Sequence, residues 1–414
     1  LPVPFAMVFA ALVAVEAGAL MPPVAVAQRM VNGAESPLML AVPLFVAAAG
    51  LMTAAGISGR MVTLAARLAG PGRAALARVN VTASLLMSGL SGSSYADAAT
   101  GARLVAPAMV ARGYAPGYAA AVTAASALLP NLVPPSVALL LLAAAANLSV
   151  GALWLAGVGP GLLLAVALLV AVSLLARRPG FGERDPATAD AEAHGRPAQG
   201  GLGDLAVTLL FAAGLVAGVR FGVVTITEAG IAAIAIAAVL GAFVYRTFTA
   251  GGLWREVLEA ADRSSRIGFL IAAAAPLAFV LVTERVPQHA IAAAAAVGDP
   301  LLLLFLVNVA MLAFGMVLDI GAGLLVLGPL VVGLAGPLGM DPVHVAIVVA
   351  LNLMIGGLTP PVGLVALVAA EVSGAGVRAT FRAMAWLLPA LIAVLAVVAL
   401  VPAIALALPR LLGS

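Results

Sequence analysis

The residues Ser88-Gly-Leu-Ser-Gly-Ser-Ser-Tyr-Ala-Asp97 decide how this chain folds. They sit inside an apolar stretch, residues 80–110, yet bring glycines and hydroxyls together around a carboxylate. A carboxylate at the centre of a bilayer costs about 2.5–3.5 kcal/mol on insertion scales, so such a segment avoids lipid. Irregular backbone survives at that depth only where protein or a water-filled cavity satisfies its N–H and C=O groups. The stretch therefore reads as the tip of a re-entrant helical hairpin and not as one span.

A second segment, Gly315-Met-Val-Leu-Asp-Ile-Gly-Ala-Gly323, has the same character inside the apolar stretch 300–336. Other landmarks recur in the same order. Asp97, Pro107, Pro116 and Pro134-Pro135 are matched by Asp319, Pro329, Pro342 and Pro360-Pro361. The offsets are 319 − 97 = 222 and 329 − 107 = 222, then 342 − 116 = 226 and 360 − 134 = 226, so one four-residue insertion relates the halves. Each Pro-Pro pair deletes amide donors and frees upstream carbonyls, which breaks its helix.

Composition sets the class. Of 414 residues, 64% are hydrophobic and 9% charged, against about 45–50% and about 25% in soluble domains. A soluble fold of this size cannot hide that much apolar side chain. The apolar runs are continuous rather than alternating, which argues against a β-barrel. The expected fold is all-α, a polytopic membrane protein. With no cysteine, disulfides, zinc-thiolate sites, iron–sulfur clusters and thiol catalysis are excluded. All 20 basic residues are Arg, and the net charge of +3 reflects loop Arg, not a nucleic-acid partner.

Candidate spans are 4–22, 37–56, 117–150, 152–176, 205–222, 226–246, 268–283, 343–373 and 384–408. The Pro/Gly-rich, mixed-charge segment 177–204 reads as an aqueous linker between two halves, 1–176 and 205–414. Arg60, Arg67, Arg73 and Arg78 cluster in one polar stretch, 57–79, and Arg255, Arg263 and Arg266 in another, 247–267. No Arg occurs between Arg285 and Arg378. Placing the Arg-rich segments in the cytoplasm puts the linker inside and 284–342 outside. The two hairpins then enter from opposite sides, which makes the halves an inverted-topology repeat, a construction common among secondary transporters. A hairpin tip facing a broken helix offers hard oxygen ligands for a cation such as Na⁺, and half-helix N-termini offer dipole ends for an anion.

Ser91-Gly-Ser-Ser-Tyr-Ala-Asp97, Val133-Pro-Pro-Ser136, Gly315-Met-Val-Leu-Asp319 and Leu358-Thr-Pro-Pro-Val-Gly-Leu364 resemble the signature blocks of TRAP transporters. Specifically, the chain resembles the large membrane subunit, M or DctM-like, of these tripartite ATP-independent periplasmic transporters. Ala27-Gln-Arg-Met-Val-Asn-Gly33 with Pro43-Leu-Phe45, and Thr283-Glu-Arg-Val-Pro-Gln288, are similar too. The resemblance covers nearly the whole chain. It implies an elevator-type ion transporter fold in the bacterial inner membrane, with both hairpins in a domain that moves against a scaffold. The polar stretches 57–79 and 247–267 become arm helices along the cytoplasmic face. The implied partners are a small four-helix membrane subunit (Q) and a periplasmic substrate-binding protein (P). The implied activity is Na⁺-coupled import of an organic acid such as a C4-dicarboxylate or sialic acid, with no cofactor beyond the coupling ion. The family begins one helix earlier, so upstream sequence is expected before Leu1.

Carried over residue by residue, the resemblance assigns Ser91, Gly92, Ser93, Ser94 and Asp97 to the first tip, and Asn131, Val133 and Pro134 to its broken helix. Gly315, Asp319 and Gly321 fall at the second tip, with Thr359, Pro360 and Gly363 at the second break. Ile320 stands where the family usually has Pro, and Val365 where it often has Asn. Asp97 and Asp319 are open to two roles, ion ligand or cap of the hairpin's second arm. His194, His289 and His344 lack metal-ligand spacing, and Trp154 and Trp386 read as interfacial anchors. An enzyme is disfavoured, because no H-E-x-x-H or G-K-[ST] pattern occurs. The alternative within transport is a stand-alone Na⁺/dicarboxylate symporter needing neither partner.

Overall fold

The computed structural model describes residues 3–18, 22–35, 37–88, 93–183, 201–336 and 339–412, and among them every regular element is a helix. Three helices, α1 (Val3–Gly18), α2 (Val24–Ala34) and α3 (Pro37–Ala54), lead to α4 (Ile57–Leu68). The first hairpin is α5 (Ala75–Leu86) with α6 (Ser94–Leu104) and its short continuation α7 (Ala106–Ala111). The broken helix follows as α8 (Pro116–Ser126), α9 (Leu129–Leu132) and α10 (Val137–Ala145), then the long α11 (Val150–Leu175).

The second half repeats that order. After α12 (Leu202–Arg220), α13 (Ile226–Val239) and α14 (Ala250–Thr283) comes α15 (Val286–Val297), then the hairpin α16 (Pro300–Gly315) and α17 (Ile320–Val332). The second broken helix is α18 (Pro342–Gly356) and α19 (Leu364–Val372), closed by α20 (Val377–Leu400) and α21 (Ala403–Leu411). Both broken helices start with Pro at the first helical position, where its missing N–H costs nothing.

The inversion is visible along α20. A Cβ on Gly117, at the start of α8, meets Ala379 near the beginning of α20. His344, at the start of α18, sets its Nε2 2.7 Å from the Val398 carbonyl near the other end. Those two positions are 398 − 379 = 19 residues apart, about 28 Å along a helix, so the broken helices enter from opposite faces. Packing is exchanged accordingly. The second arm of hairpin 1, α6, lies against α19 of the second half, and the second arm of hairpin 2, α17, lies against α10 of the first.

Two expectations are corrected here. The stretch 247–267 is not a separate arm helix: Ala250–Thr283 runs unbroken for 34 residues and packs on α1, α2 and α3. The counterpart of α4 is α15, also 12 residues long. Left-handed residues flank both, Gly56 (φ 77°) and Gly70 (φ 67°) around α4, Arg285 (φ 55°) and Gly298 (φ 70°) around α15. The offsets, 285 − 56 = 229 and 298 − 70 = 228, lie within three residues of the 226 that relates the two breaks. Trp154 is the second correction. It is buried, not interfacial, with its indole N–H 3.0 Å from the Ser136 carbonyl.

Most of the linker, 184–200, lies outside the described residues, and His194 with it. Its opening residues fold back onto the base of hairpin 1. Glu183 is buried, paired with Arg112 at 3.6 Å, and its N–H donates to the Arg73 carbonyl at 2.9 Å. Phe181 stacks on Tyr118 at 4.2 Å, and Arg178 lies over the Trp386 ring at 3.6 Å.

Candidate functional site

Each hairpin closes on the broken helix of its own half. In the first, Ser91 and Gly92 lie outside the described residues, and Ser93 holds the N-cap position of α6 with extended backbone (φ −143°, ψ 118°) and no side-chain cap. The next residue, Ser94, is buried and accepts a hydrogen bond from Asn131 Nδ2 of the break. The helix axis turns by 54° there, with Val133 extended and the Pro134–Pro135 peptide cis. Ser136 completes the break. Its hydroxyl donates to the Asn131 carbonyl and accepts from the Leu139 N–H at 3.1 Å, starting α10. Asp97 is buried one turn into α6, lining a small cavity with Asn80, Ser84 and Thr100.

In the second half the contact is backbone on backbone. Gly315 ends α16 where a Cβ would stand 3.0 Å from the Leu353 carbonyl, and a Cβ on Gly356 would stand 2.6 Å from Gly315 Cα. Asp319 caps α17: its Oδ2 accepts from the Ala322 N–H at 3.1 Å. Gly321 follows, its Cβ position 3.1 Å from the same oxygen. Across the tip, Gly363 donates its N–H to the Met316 carbonyl at 3.2 Å and takes φ 54°, open to glycine at little cost. Thr359 donates its hydroxyl proton to the Ile355 carbonyl at 2.9 Å, leaving oxygen lone pairs beside the cis Pro360–Pro361 bond.

The two tips also meet one another. The Tyr95 hydroxyl of hairpin 1 accepts from the Ile320 N–H of hairpin 2 at 3.3 Å, and the phenol lies against the Asp319 carboxylate. Among the described residues, each tip thus rests on its own broken helix, and the two tips are joined at Tyr95 and Ile320. The oxygens there are hydroxyls, carbonyls and carboxylates, a donor set suited to hard cations. Among the described residues no group of three or more His, Asp and Glu side chains is placed to hold a metal.

The structure refines the repeat register. Asp319 caps its helix and Asp97 does not, so the equivalent of Asp319 is Ser93. That offset, 319 − 93 = 226, equals the one relating the two breaks. Of the two roles left open for the carboxylates, Asp319 takes the cap of its hairpin's second arm, while Asp97 stands one turn inside α6.

Sequence reading missed several polar contacts. Asn80 on α5 donates to Thr123 Oγ1 of α8 at 2.7 Å and accepts from Ser126 at 3.3 Å, all three buried. In the other half Asn352 of α18 donates to Asn308 Oδ1 of α16 at 2.7 Å. Ser126 and Asn352 share the offset 352 − 126 = 226, so a polar clamp joins hairpin to broken helix at the same height twice. An isolated Asn in an apolar run was the available signal. Ser136, directly after Pro-Pro and before an apolar run, carried a capping signature.

With that geometry in hand, comparison with known proteins is specific. The family model described as the tripartite ATP-independent periplasmic transporter, DctM component, matches residues 1–404. The sialic acid TRAP transporter large permease protein SiaM of Vibrio cholerae is 35% identical over 93% of this chain and 89% of its own. The C4-dicarboxylate TRAP transporter large permease protein DctM of Pseudomonas aeruginosa is 34% identical over the same shares, 93% and 89%. In fold, the chain is similar to the YdaH transporter of Alcanivorax borkumensis, with TM-score 0.62 at 17% identity, covering 91% of this chain and 86% of that one.

Proposed function

Because the chain belongs to the DctM component family of tripartite ATP-independent periplasmic transporters, we propose that it is the large subunit of a Na⁺-coupled importer of an organic acid. The observation that carries this reading is a pair of hairpin tips, each resting on its own helix break and joined to the other at Tyr95 and Ile320. Oxygen ligands there suit coupling ions, and the N-termini of α10 and α19 present positive dipole ends to an anion. Relatives are named for sialic acid, C4-dicarboxylates and 2,3-diketo-L-gulonate, which are carboxylates, and one for isethionate, a sulfonate, so an organic anion is the shared chemistry. Each Na⁺ entering gains about 2.3 kcal/mol per 100 mV, enough to drive uptake against a gradient.

The mechanism we propose is an elevator in the inner membrane. The hairpins with α8–α10, α18 and α19 form the moving unit, and α4 and α15 join it to the scaffold through left-handed residues at both ends. A small membrane subunit enlarges the scaffold, and a periplasmic binding protein delivers the substrate. The test is uptake in proteoliposomes containing this chain, the small subunit and the cognate binding protein, across a panel of carboxylates. Saturable uptake that requires Na⁺ and the binding protein is expected. Equal uptake in choline medium overturns the coupling, and full uptake by this chain alone overturns the partners.

A further inference from the structure

We infer that the Tyr95 hydroxyl couples the two hairpin tips, so that an ion bound at one raises the affinity of the other. The inference rests on the Na⁺-coupled reading above. Tyr95 is the second residue of α6, next to Ser94, which holds Asn131 of the first break. A change at the first tip therefore moves the phenol through a single helical turn. At its other end the phenol meets the start of α17. It accepts the Ile320 N–H at 3.3 Å, an amide that has no intrahelical partner in the first turn, and it lies against Asp319. Asp319 in turn fixes that turn by accepting from Ala322 at 3.1 Å. The bridge joins residues 225 apart in sequence.

The connection is one-sided. In the register 319 − 93 = 226 the counterpart of Tyr95 is Gly321, which has no side chain to reach back. Coupling through Tyr95 is still reciprocal in energy, since linkage requires each site to affect the other by the same factor.

The test uses the purified full-length chain and Na⁺ alone, with choline holding ionic strength constant. Binding is read from tryptophan fluorescence, because buried Trp154 is hydrogen-bonded to Ser136 at the first break. The wild type is expected to titrate sigmoidally, with a Hill coefficient approaching about 2 for two linked sites. Tyr95→Phe is expected to bring it toward about 1 and to raise half-saturating Na⁺ about fivefold. Ile320→Pro removes the donor and leaves the phenol. Proline is tolerated at the first helical position, and Asp319 already has the extended backbone (φ −60°, ψ 140°) that a residue before proline adopts. It is expected to reproduce the Tyr95→Phe titration, with the double variant no worse than either single one. Wild-type cooperativity in both variants, or additive losses in the double variant, overturns the coupling while leaving the ion sites standing. A wild type that responds to Na⁺ without sigmoidicity overturns it likewise. No Na⁺-specific response in the wild type overturns the ion reading and this inference together.

Discussion

Hairpin 2 starts its second arm with a carboxylate cap and closes on its broken helix through Gly315 and Gly356, backbone against backbone. Hairpin 1 starts its second arm at Ser93 without a side-chain cap, places its carboxylate a turn later, and closes through the side chains of Ser94 and Asn131. Both tips occupy the same register of one repeat, so the repeat preserves where helices start and break, and not which side chains do the joining. Hairpin 2 closes chiefly on glycine backbone, with the Gly363 N–H bonded across its tip, while the described closure of hairpin 1 runs through the side chains of Ser94 and Asn131.

The sharpest way to break this contrast is to add one methyl group to each crossing. A Cβ on Gly356 stands 2.6 Å from Gly315 Cα, backbone that cannot rotate away. On Gly101 of α6 it stands 2.8 Å from Thr123 Cγ2, a side-chain methyl and not backbone, which can give by a few tenths of an ångström while Asn80 holds the Thr123 hydroxyl. Gly356→Ala is expected to cost about 3 kcal/mol and Gly101→Ala about 1 kcal/mol, within the usual range for overpacking. Thermal unfolding of the purified variants checks the order, and equal losses would remove the distinction between the two closures.

Next in size is the carboxylate pair. Asparagine caps helices about as well as aspartate. Asp319→Asn should therefore keep the fold to within about 0.5 kcal/mol while removing the charge from the tip. Half-saturating Na⁺ for uptake is expected to rise at least tenfold, which is about 1.4 kcal/mol of ion binding. Asp97→Asn is expected to give a smaller rise, about threefold or 0.7 kcal/mol, because Asp97 lines the cavity beside Asn80 and Thr100. The reverse ranking would move the principal ion site to hairpin 1.

The polar clamps give a third comparison. Asn352→Leu strips the half-buried Asn308 Oδ1 of its donor, an expected loss of about 1–2 kcal/mol. Ser126→Ala leaves Asn80 still bonded to Thr123 at 2.7 Å, so about 1 kcal/mol is expected. Chemical denaturation of each variant, with and without Na⁺, tests both values.

Much of this arrangement was legible in the amino-acid sequence because the bilayer leaves few choices. Glycine, hydroxyl and carboxylate residues inside an apolar run have no stable lipid-facing form, so Ser88–Asp97 and Gly315–Gly323 announced the hairpins. Doubled proline announced the breaks at Pro134 and Pro360. The arms were harder. The polar stretch 247–267 looked like a surface helix by charge, but Gly268 is the only glycine between Trp254 and Pro276 and does not break the helix. The helix that matches α4 in the second half, α15, is Ala-rich and carries no charge pattern to separate it from a span. Tyr95 stands inside the first signature block without a spacing signal of its own, since which side chain crosses from one repeat to the other depends on three-dimensional packing that spacing alone does not encode.

The two arms offer the smallest and most diagnostic comparison. Gly56, before α4, has φ 77° and open space around a Cβ, with Thr247 Cγ2 the nearest atom at 3.8 Å. Gly56→Ala therefore costs only the left-handed conformation, about 1 kcal/mol. Arg285, before α15, already adopts φ 55° with a full side chain, so Arg285→Gly relieves that cost while loosening the unfolded chain, a net change within about 0.5 kcal/mol. If α4 swings about Gly56 during each cycle, alanine there narrows the accessible backbone in every conformation of the cycle. Maximal uptake is then expected to fall several-fold with half-saturating Na⁺ unchanged, whereas Arg285→Gly leaves both near wild type. A fall in Na⁺ affinity in place of rate would show that Gly56 shapes the ion site and not the movement, because a hinge alters the passage between states without touching the ligands.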